Sequence, residues 1–458
     1  MNTILVLAVL GVITMFLGVF NRKRLILPVI IAGLLVSLGL AMADWGSAKS
    51  WFSNMLISDN FTVAFSSLMI VATFFTALLS VQYYRKESSS LDGIYAIMVF
   101  SLLGGLVMIA SGNLVSFFIG LEIMSISLYL LAASHKTSAE SSEAGMKYFL
   151  MGSFASAFLL FGITLMFGAS GSMYYQDIAS YSITQGSHAP MLFKAGVLLL
   201  ALGMAFKIGA VPFHFWVPDV YHGSPTIITT FMITVIKAAG FAAFLRLTMM
   251  VFPGENVVWN HSLAVISALS IILGNVAAVA QTKVKRMLAY SSIAHTGYIL
   301  IAVIALQGKA APVVFYYSIA YILANLAAFG VVIVLRQATG DGSFEAFNGL
   351  SKINKLGAFA FAIGMFSLTG IPPLAGFMAK YNVFILALQN NYLWLVIIAI
   401  IGSAVSIYYY FRPVINSYMK DPGENAYESI SLTSVSLLVL TLLAILVGFI
   451  PGWIMSLV

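Results

Sequence analysis

The sequence predicts an all-α polytopic membrane protein of about fourteen transmembrane helices, with two inverted five-helix repeats (helices 4–8 and 9–13) in which helices 7 and 12 are broken. Three observations carry that prediction. Hydrophobic residues make up 61% of the 458-residue chain and charged residues 8%, too few for a soluble domain whose helices each need a water-facing side. Apolar runs of roughly twenty residues, the length that crosses a bilayer, follow one another with short polar breaks. A glycine- and proline-interrupted apolar segment with a lysine beside it also occurs twice, with Lys207 before Gly-Ala-Val-Pro (209–212) and Lys380 after Gly-Ile-Pro-Pro (370–373).

Taken in order, the runs long enough to span fall at about 3–20, 25–42, 61–80, 93–110, 112–133, 143–168 and 191–220, the last broken. The second half continues at about 225–250, 260–280, 286–306, 311–336, 356–389, which is again broken, 392–411 and 431–455. The first run has no small-residue cleavage site behind it and is followed by Arg22, Lys23 and Arg24, so it is expected to remain as a membrane helix. Residues 1–92 then form an N-terminal three-helix unit, 93–250 the first repeat, 260–415 the second, and 416–458 a loop with a final helix.

Charge sorts the connections. Those after odd-numbered helices hold Arg22, Lys23, Arg24, Arg85, Lys86, Lys136, Lys283, Lys285, Arg286, Arg336, Lys352, Lys355, Arg412 and Lys420, whereas the others hold little beyond Lys49, Lys194 and Lys309. The cationic side is expected to be cytoplasmic, with both termini opposite. The net charge of +7 is thereby explained by orientation and supports no nucleic-acid partner. With no cysteine, the chain cannot supply thiolate ligands to a metal or an iron–sulfur cluster.

The two broken helices match without gaps: Gly203-Met204, Gly209 and Pro212 align with Gly364-Met365, Gly370 and Pro373. A weaker echo relates Ser125-Ile-Ser-Leu-Tyr129 in the fifth span to Ala294-His-Thr-Gly-Tyr298 in the tenth. A repeat of five helices has odd parity, so its copy enters the membrane from the other side. In each break proline removes a donor and glycine loosens the backbone, freeing peptide groups that need a polar interior or water.

Ionisable residues lie at membrane depth in Glu122 (helix 5), Lys207 (helix 7), Lys237 (helix 8), His295 (helix 10) and Lys380 (helix 12). Each costs about 2.5–3.5 kcal/mol at a lipid-exposed helix centre, so all are expected to face a polar interior. Thr230, Thr234 and Lys237 share a helical face, as do Ser291, Ser292, His295 and Tyr298, while Tyr317, Tyr321 and Asn325 add polar groups in helix 11. Such faces can hold water, and a desolvated lysine exchanges protons near neutral pH while an adjacent carboxylate restores its charge. A static Glu122–Lys207 ion pair or a purely interhelical hydrogen bond at His295 are the structural alternatives. Glu143 reads equally as a solvated charge at the start of helix 6. Arg246 reads as snorkelling from the end of helix 8, and His214, Asp219 and His222 as interfacial.

The stretch from Gly203 through Lys207-Ile-Gly-Ala-Val-Pro to Gly223-Ser-Pro-Thr226 resembles the signature of the antiporter-like membrane subunits of NADH:quinone oxidoreductase, respiratory complex I. The likeness extends to Leu121-Glu122, Lys237-Ala-Ala-Gly, Ala289 to Tyr298 and Gly370 to Lys380, covering about residues 60–415. The lysine in helix 12, where a paralogous branch carries glutamate, and the lack of a long C-terminal lateral helix point to the subunit N branch of that family. The resemblance implies that Glu122 and Lys207 form a switch pair, Lys237 and His295 a connecting relay and Lys380 a terminal proton-exchange site, with Glu143 as a second carboxylate. It further implies that NADH, FMN, iron–sulfur clusters and quinone reside in partner membrane-arm and redox subunits, with no cofactor on this chain, in a bacterial plasma membrane. An Mrp-type cation/proton antiporter subunit shares the same motifs, and a purely structural membrane-arm subunit is the third possibility.

Overall fold

A computed structural model describes residues 1–84, 91–251, 257–304, 310–340, 342–422 and 431–458; Arg85, Lys86 and Lys309 of the charge argument lie outside them. The N-terminal unit holds α1 (Asn2–Val19), α2 (Lys23–Ala43) and α3 (Asn60–Tyr84), with a hairpin of β1 (Lys49–Trp51) and β2 (Leu56–Ser58) between the last two. There follow α4 (Leu91–Ile109), α5 (Leu114–Ala132), α6 (Ala139–Ser170), α7 (Tyr175–Gln185), α8 (Met191–Ile208), α9 (Trp216–Gly223), α10 (Thr226–Phe231) and α11 (Lys237–Val251). The second half comprises α12 (Val257–Val279), α13 (Val284–Ile304), α14 (Ala310–Thr339), α15 (Leu350–Ile353), α16 (Lys355–Thr369), α17 (Ala375–Gln389), α18 (Leu393–Met419), α19 (Ser431–Phe449) and α20 (Pro451–Met455).

Among the described residues, 11 helices are long and apolar enough to cross a membrane, counting Thr226–Val251 as one. The shorter apolar helices Gly93–Ile109, Lys355–Thr369 and Val435–Phe449 complete the expected series. Three details differ from expectation. The amphipathic α7 was not foreseen; it is too short and polar to register as a span and buries only Tyr175, Ile178 and Ala179. α18 runs through Pro413 to Met419, well past the expected end. The last span divides at Ile450 because Pro451, which has no N–H to donate, starts α20.

Both broken helices end in the same cap. Gly209 and Gly370 take φ of 71° and 93°, a left-handed conformation that glycine reaches without a Cβ clash. The next N–H then folds back to the helix, from Ala210 to Ala205 O (2.8 Å) and from Ile371 to Phe366 O (3.1 Å), a Schellman closure. Packing recurs as well: α4 crosses α5 as α12 crosses α13, α6 lies on α8 as α14 lies on α16, and α11 returns to α4 as α18 returns to α12. Glycine makes two of these crossings close. A Cβ on Gly104 would lie 2.4 Å from Met124 N, and one on Gly274 would lie 2.5 Å from Ala294 N.

Polar ties define two ends of the bundle. Lys147 and Arg286 both meet Asp219 (2.8 and 3.4 Å), and Lys352 meets Asp421 (2.6 Å). Arg412 reaches Gln281 O (3.4 Å) and Asn416 reaches Phe344 O (2.8 Å). The expected cationic set, including Lys283, Lys285, Arg286, Arg336, Lys352 and Arg412, thus gathers at one end. Asp44 and Lys49, Asp59 and Arg246, and the Asn113–Tyr174 bridge mark the other. The centre is formed by the α10–α11 span, α13 and α14, which are almost wholly enclosed, while α1, α2, α6 and α18 present broad apolar faces outward.

Candidate functional site

The α8 cap leaves Lys207 in the last turn of its helix, aimed at α5. Its Nζ donates to Ser125 Oγ (2.8 Å) and lies 5.9 Å from the centre of the Tyr148 ring. One helical turn before Ser125, the half-buried Glu122 accepts a hydrogen bond from Ser156 Oγ (2.5 Å) on α6. No ion pair within 4 Å joins Glu122 and Lys207. The space between α5, α6 and α8 is instead a cavity of ≈ 10 Å³ bordered by Ser125, Tyr129, Ser156 and Lys207, about the size that admits one water molecule. Lys207 thus meets Ser125 and Glu122 meets Ser156, and the Tyr129 hydroxyl stands between the two serines on the cavity wall.

Peptide groups freed by the break find partners on α12 and α13 in the second half of the chain and on α9 just after the break. Thr296 Oγ1 donates to Ile208 O (2.9 Å), Val211 N donates to Ser270 Oγ (3.0 Å), and Trp216 Nε1 donates to Phe206 O (3.0 Å). Without them these buried groups would each cost free energy in a medium with no water. α12 and α13 thus hold the Lys207 segment open.

Lys237 follows a π-helical turn, Met232–Ile236, where the extra residue per turn rotates the helix face. Its Nζ donates to Ser292 O on α13 and sits 5.7 Å from the Tyr321 ring centre. The expected water-facing hydroxyls of Thr230 and Thr234 donate back to Thr226 O (2.9 Å) and Thr230 O (2.6 Å), so they serve the kinked helix first. His295, one turn on from Ser292, bonds Tyr317 OH through Nδ1 (2.7 Å) and Tyr410 OH through Nε2 (3.2 Å). Tyr410 packs on Tyr409, whose hydroxyl donates to Asn275 Oδ1 (2.9 Å), and Asn275 Nδ2 lies 3.5 Å from Tyr298 OH. Lys380 is 4.9 Å from the Tyr298 ring centre and donates to Thr369 O (2.7 Å) and Ser403 Oγ (3.0 Å). Its stem passes over Gly370, where a Cβ would lie 3.1 Å from Lys380 Cδ. Tyr321 OH, Ser292 Oγ and Asn325 Oδ1 are buried beside this row without a direct hydrogen bond.

Five of the six sequence-derived residues thus lie among interior polar groups, Glu122 half-buried and Lys207, Lys237, His295 and Lys380 buried. Glu143 does not join them: its side chain is 64% exposed and pairs with Lys147 (2.7 Å). Arg246, expected to snorkel, is 3% exposed, pairs with Asp59 (2.7 Å), bonds Thr62 Oγ1 (2.8 Å) and covers the Phe61 ring. Burial raises the pKa of Asp59, but the Arg246 guanidinium and hydrogen bonds from Arg246 and Thr62 outweigh it and hold the carboxyl below its usual value. His214, expected at the interface, is buried, and Lys285, expected in a loop, is 2% exposed. Tyr148, Tyr410 and Asn275 were not singled out because a lone polar residue in an apolar helix carries no sign of its partner. Among the described residues no group of three or more His, Asp or Glu side chains is placed to hold a metal ion.

Comparison with known proteins gives the family of the chain. Residues 111–406 match the family described as NADH:quinone oxidoreductase/Mrp antiporter, transmembrane. The chain is 40% identical over 453 residues to NADH-quinone oxidoreductase subunit N of Cytophaga hutchinsonii, covering 98% of both chains. It is 37% identical over 457 residues to the same-named protein of Flavobacterium psychrophilum, covering 100% of both. A chain of respiratory complex I from Thermus thermophilus shares 31% identity and a TM-score of 0.85, covering 99% of this chain and 98% of that one. A chain of the Mrp complex from Dietzia sp. has a TM-score of 0.90 over 99% of this chain and 95% of its own, and at 19% identity it shows the common fold alone. The protein belongs to the NADH:quinone oxidoreductase/Mrp antiporter transmembrane family and, within it, is an antiporter-like complex I membrane subunit most similar to subunit N.

Proposed function

We propose that this chain moves protons through the buried row, coupled to quinone reduction by partner subunits of an NADH:quinone oxidoreductase. The observation that carries this reading is that Lys207, Lys237 and Lys380 are all buried and donate to hydroxyl or carbonyl oxygens, with no carboxylate within 4 Å among the described residues. A lysine so placed is held by no fixed counter-ion, and its charge state follows nearby electrostatic change. Glu122 is the nearest such influence on Lys207. Drawn through Ser125 and Ser156 into contact it holds the ammonium charged; withdrawn, it lets the proton go on.

Lys237 and His295 act as the relay, the imidazole between Tyr317 and Tyr410 exchanging donor and acceptor roles at its two nitrogens. Lys380 is the terminal exchange site. Glu143, paired with Lys147 at the surface, serves at most as a collector of protons at the cationic end. NADH, FMN, iron–sulfur clusters and quinone belong to the partner subunits in this reading, and the redox energy arrives by conformational or electrostatic coupling. Residues 93–250 and 260–415 are the two inverted repeats, a division supported by the shared caps and helix pairings. The cationic end faces the cytoplasm of a bacterial cell and both termini face outward.

Replacing Lys207 with alanine in the intact complex tests the reading. Assembled complex should lose NADH oxidation linked to quinone together with proton uptake into inverted vesicles; unaltered turnover and uptake would sink the role.

A further inference from the structure

We infer that Lys285 is the proton intake of the row, a titratable gate between the aqueous cationic end and Lys237. This deepens the proton-translocation reading and rests on it. Lys147, Arg286 and Lys352 at the same end are exposed and paired with carboxylates. Lys285 is 2% exposed, and among the described residues it has no carboxylate within 4 Å; its Nζ donates to Ser224 O, in the junction between α9 and α10.

The geometry around that junction connects the gate to the relay. Lys285 and Ser292 are two turns apart on one face of α13, about 10 Å along the axis. Ser224 contacts the first of them, and the buried Tyr221, one turn earlier on α9, directs its hydroxyl at the second. Ser292 O accepts from Lys237 Nζ while its own Oγ, buried without a direct hydrogen bond, lies beside the hydroxyls of Tyr221 and Tyr321. Thr229 Oγ1 fixes the junction by donating to Tyr221 O (2.8 Å). Toward the aqueous cationic end, His222 Nδ1 is buried without a partner and faces Lys283, Lys285, Arg336 and Glu140. Arg336 in turn donates to Thr226 Oγ1 (3.3 Å) at the start of α10. A proton leaving the Lys285 ammonium passes by way of the Tyr221 and Ser292 hydroxyls toward Lys237, and the neutral amine takes its replacement from the aqueous side past His222. A side chain serving only to tie down Ser224 O would not need to be titratable.

That distinction supplies the test. Arginine keeps the charge and a donor for Ser224 O but does not release its proton, whereas histidine can. Lys285→Arg, Lys285→Met, Lys285→His and Lys237→Met are introduced into the whole complex, and assembly, NADH oxidation and proton uptake into inverted vesicles are measured. A drop in both activities on the order of tenfold or more in Lys285→Arg, with normal assembly and with partial recovery in Lys285→His, supports the inference. Full activity in Lys285→Arg overturns it and leaves Lys285 as an anchor for the junction. Should Lys285→Met fail to assemble, the arginine and histidine variants still decide. Full uptake in Lys237→Met would remove the proton-translocation reading itself and this inference with it. Loss in Lys237→Met alongside full activity in Lys285→Arg removes only the gate.

Discussion

Thr296 shows how closely the break and the relay are tied at the level of single residues. Its hydroxyl lies between Ile208 O, at the end of α8, and Ser292 O (3.1 Å), which also receives Lys237. Thr296→Val keeps the shape and removes the donor, leaving the Ile208 carbonyl unpaired. Thermal unfolding should show a loss of about 1–3 kcal/mol, with proton uptake reduced although every lysine is intact. The Asp59–Arg246 pair makes a second, asymmetric prediction. Asp59→Ala strands a guanidinium that is 3% exposed, at a cost of about 3–5 kcal/mol. Arg246→Met leaves a carboxylate that is 41% exposed and can be hydrated, so its cost is smaller. Because the folded pKa of Asp59 is depressed, the pair's stabilisation is complete above the unfolded value of about 3.9 and fades as pH falls through the lower folded value. Acid titration of unfolding should show that component in the parent and lack it in Asp59→Asn.

At the scale of elements, the close helix crossings limit what can change. Gly104 and Gly120 let α4 and α5 approach until a Cβ on Gly120 would lie 2.5 Å from Met108 N, a backbone atom that cannot rotate away. Gly120→Leu should therefore separate the helices at the level of Glu122, costing about 1–3 kcal/mol or more by overpacking. Proton uptake should fall along with stability. Equal uptake at reduced stability would show that the spacing of Glu122 from Ser156 does not matter. The π turn before Lys237 is the other element-level device. It sets the Lys237 ammonium against Ser292, and no periodicity in an all-apolar stretch marks where a helix gains one residue in a turn.

For the whole molecule, the two ends make a labelling prediction. The chain has no cysteine, so single cysteines in place of Lys49 and Lys352 report cleanly. Lys49 lies with Asp44 at one end and Lys352 with Asp421 at the other. An impermeant maleimide should reach the Lys49→Cys variant from outside intact cells and the Lys352→Cys variant only in inverted vesicles. The reverse pattern would invert the orientation, and labelling of both from one side would contradict the fold. Outward apolar faces on α6 and α18 carry Phe154, Phe158, Phe161, Ile397, Ile400 and Ile401, surfaces suited to lipid or to neighbouring membrane subunits.

Hydropathy determined the class and the number of spans, and glycine and proline the two broken helices, because twenty-residue apolar runs and glycine–proline breaks are local signals. Ionisable residues in such runs are rare enough that Glu122, Lys207, Lys237, His295 and Lys380 could be named from their cost in lipid. Charge sorting likewise separated the ends. Only the tertiary structure decided which oxygens those side chains meet. Lys285 and Arg246 look like end charges until their neighbours are known, and Glu143 looks like a candidate until it is found on Lys147 at the surface. The Tyr410, Tyr409 and Asn275 bridge joins residues more than a hundred positions apart. Burial cost belongs to a residue and its own helix, so the sequence carries it; partnership belongs to the packing of separate helices, and no single helix encodes it.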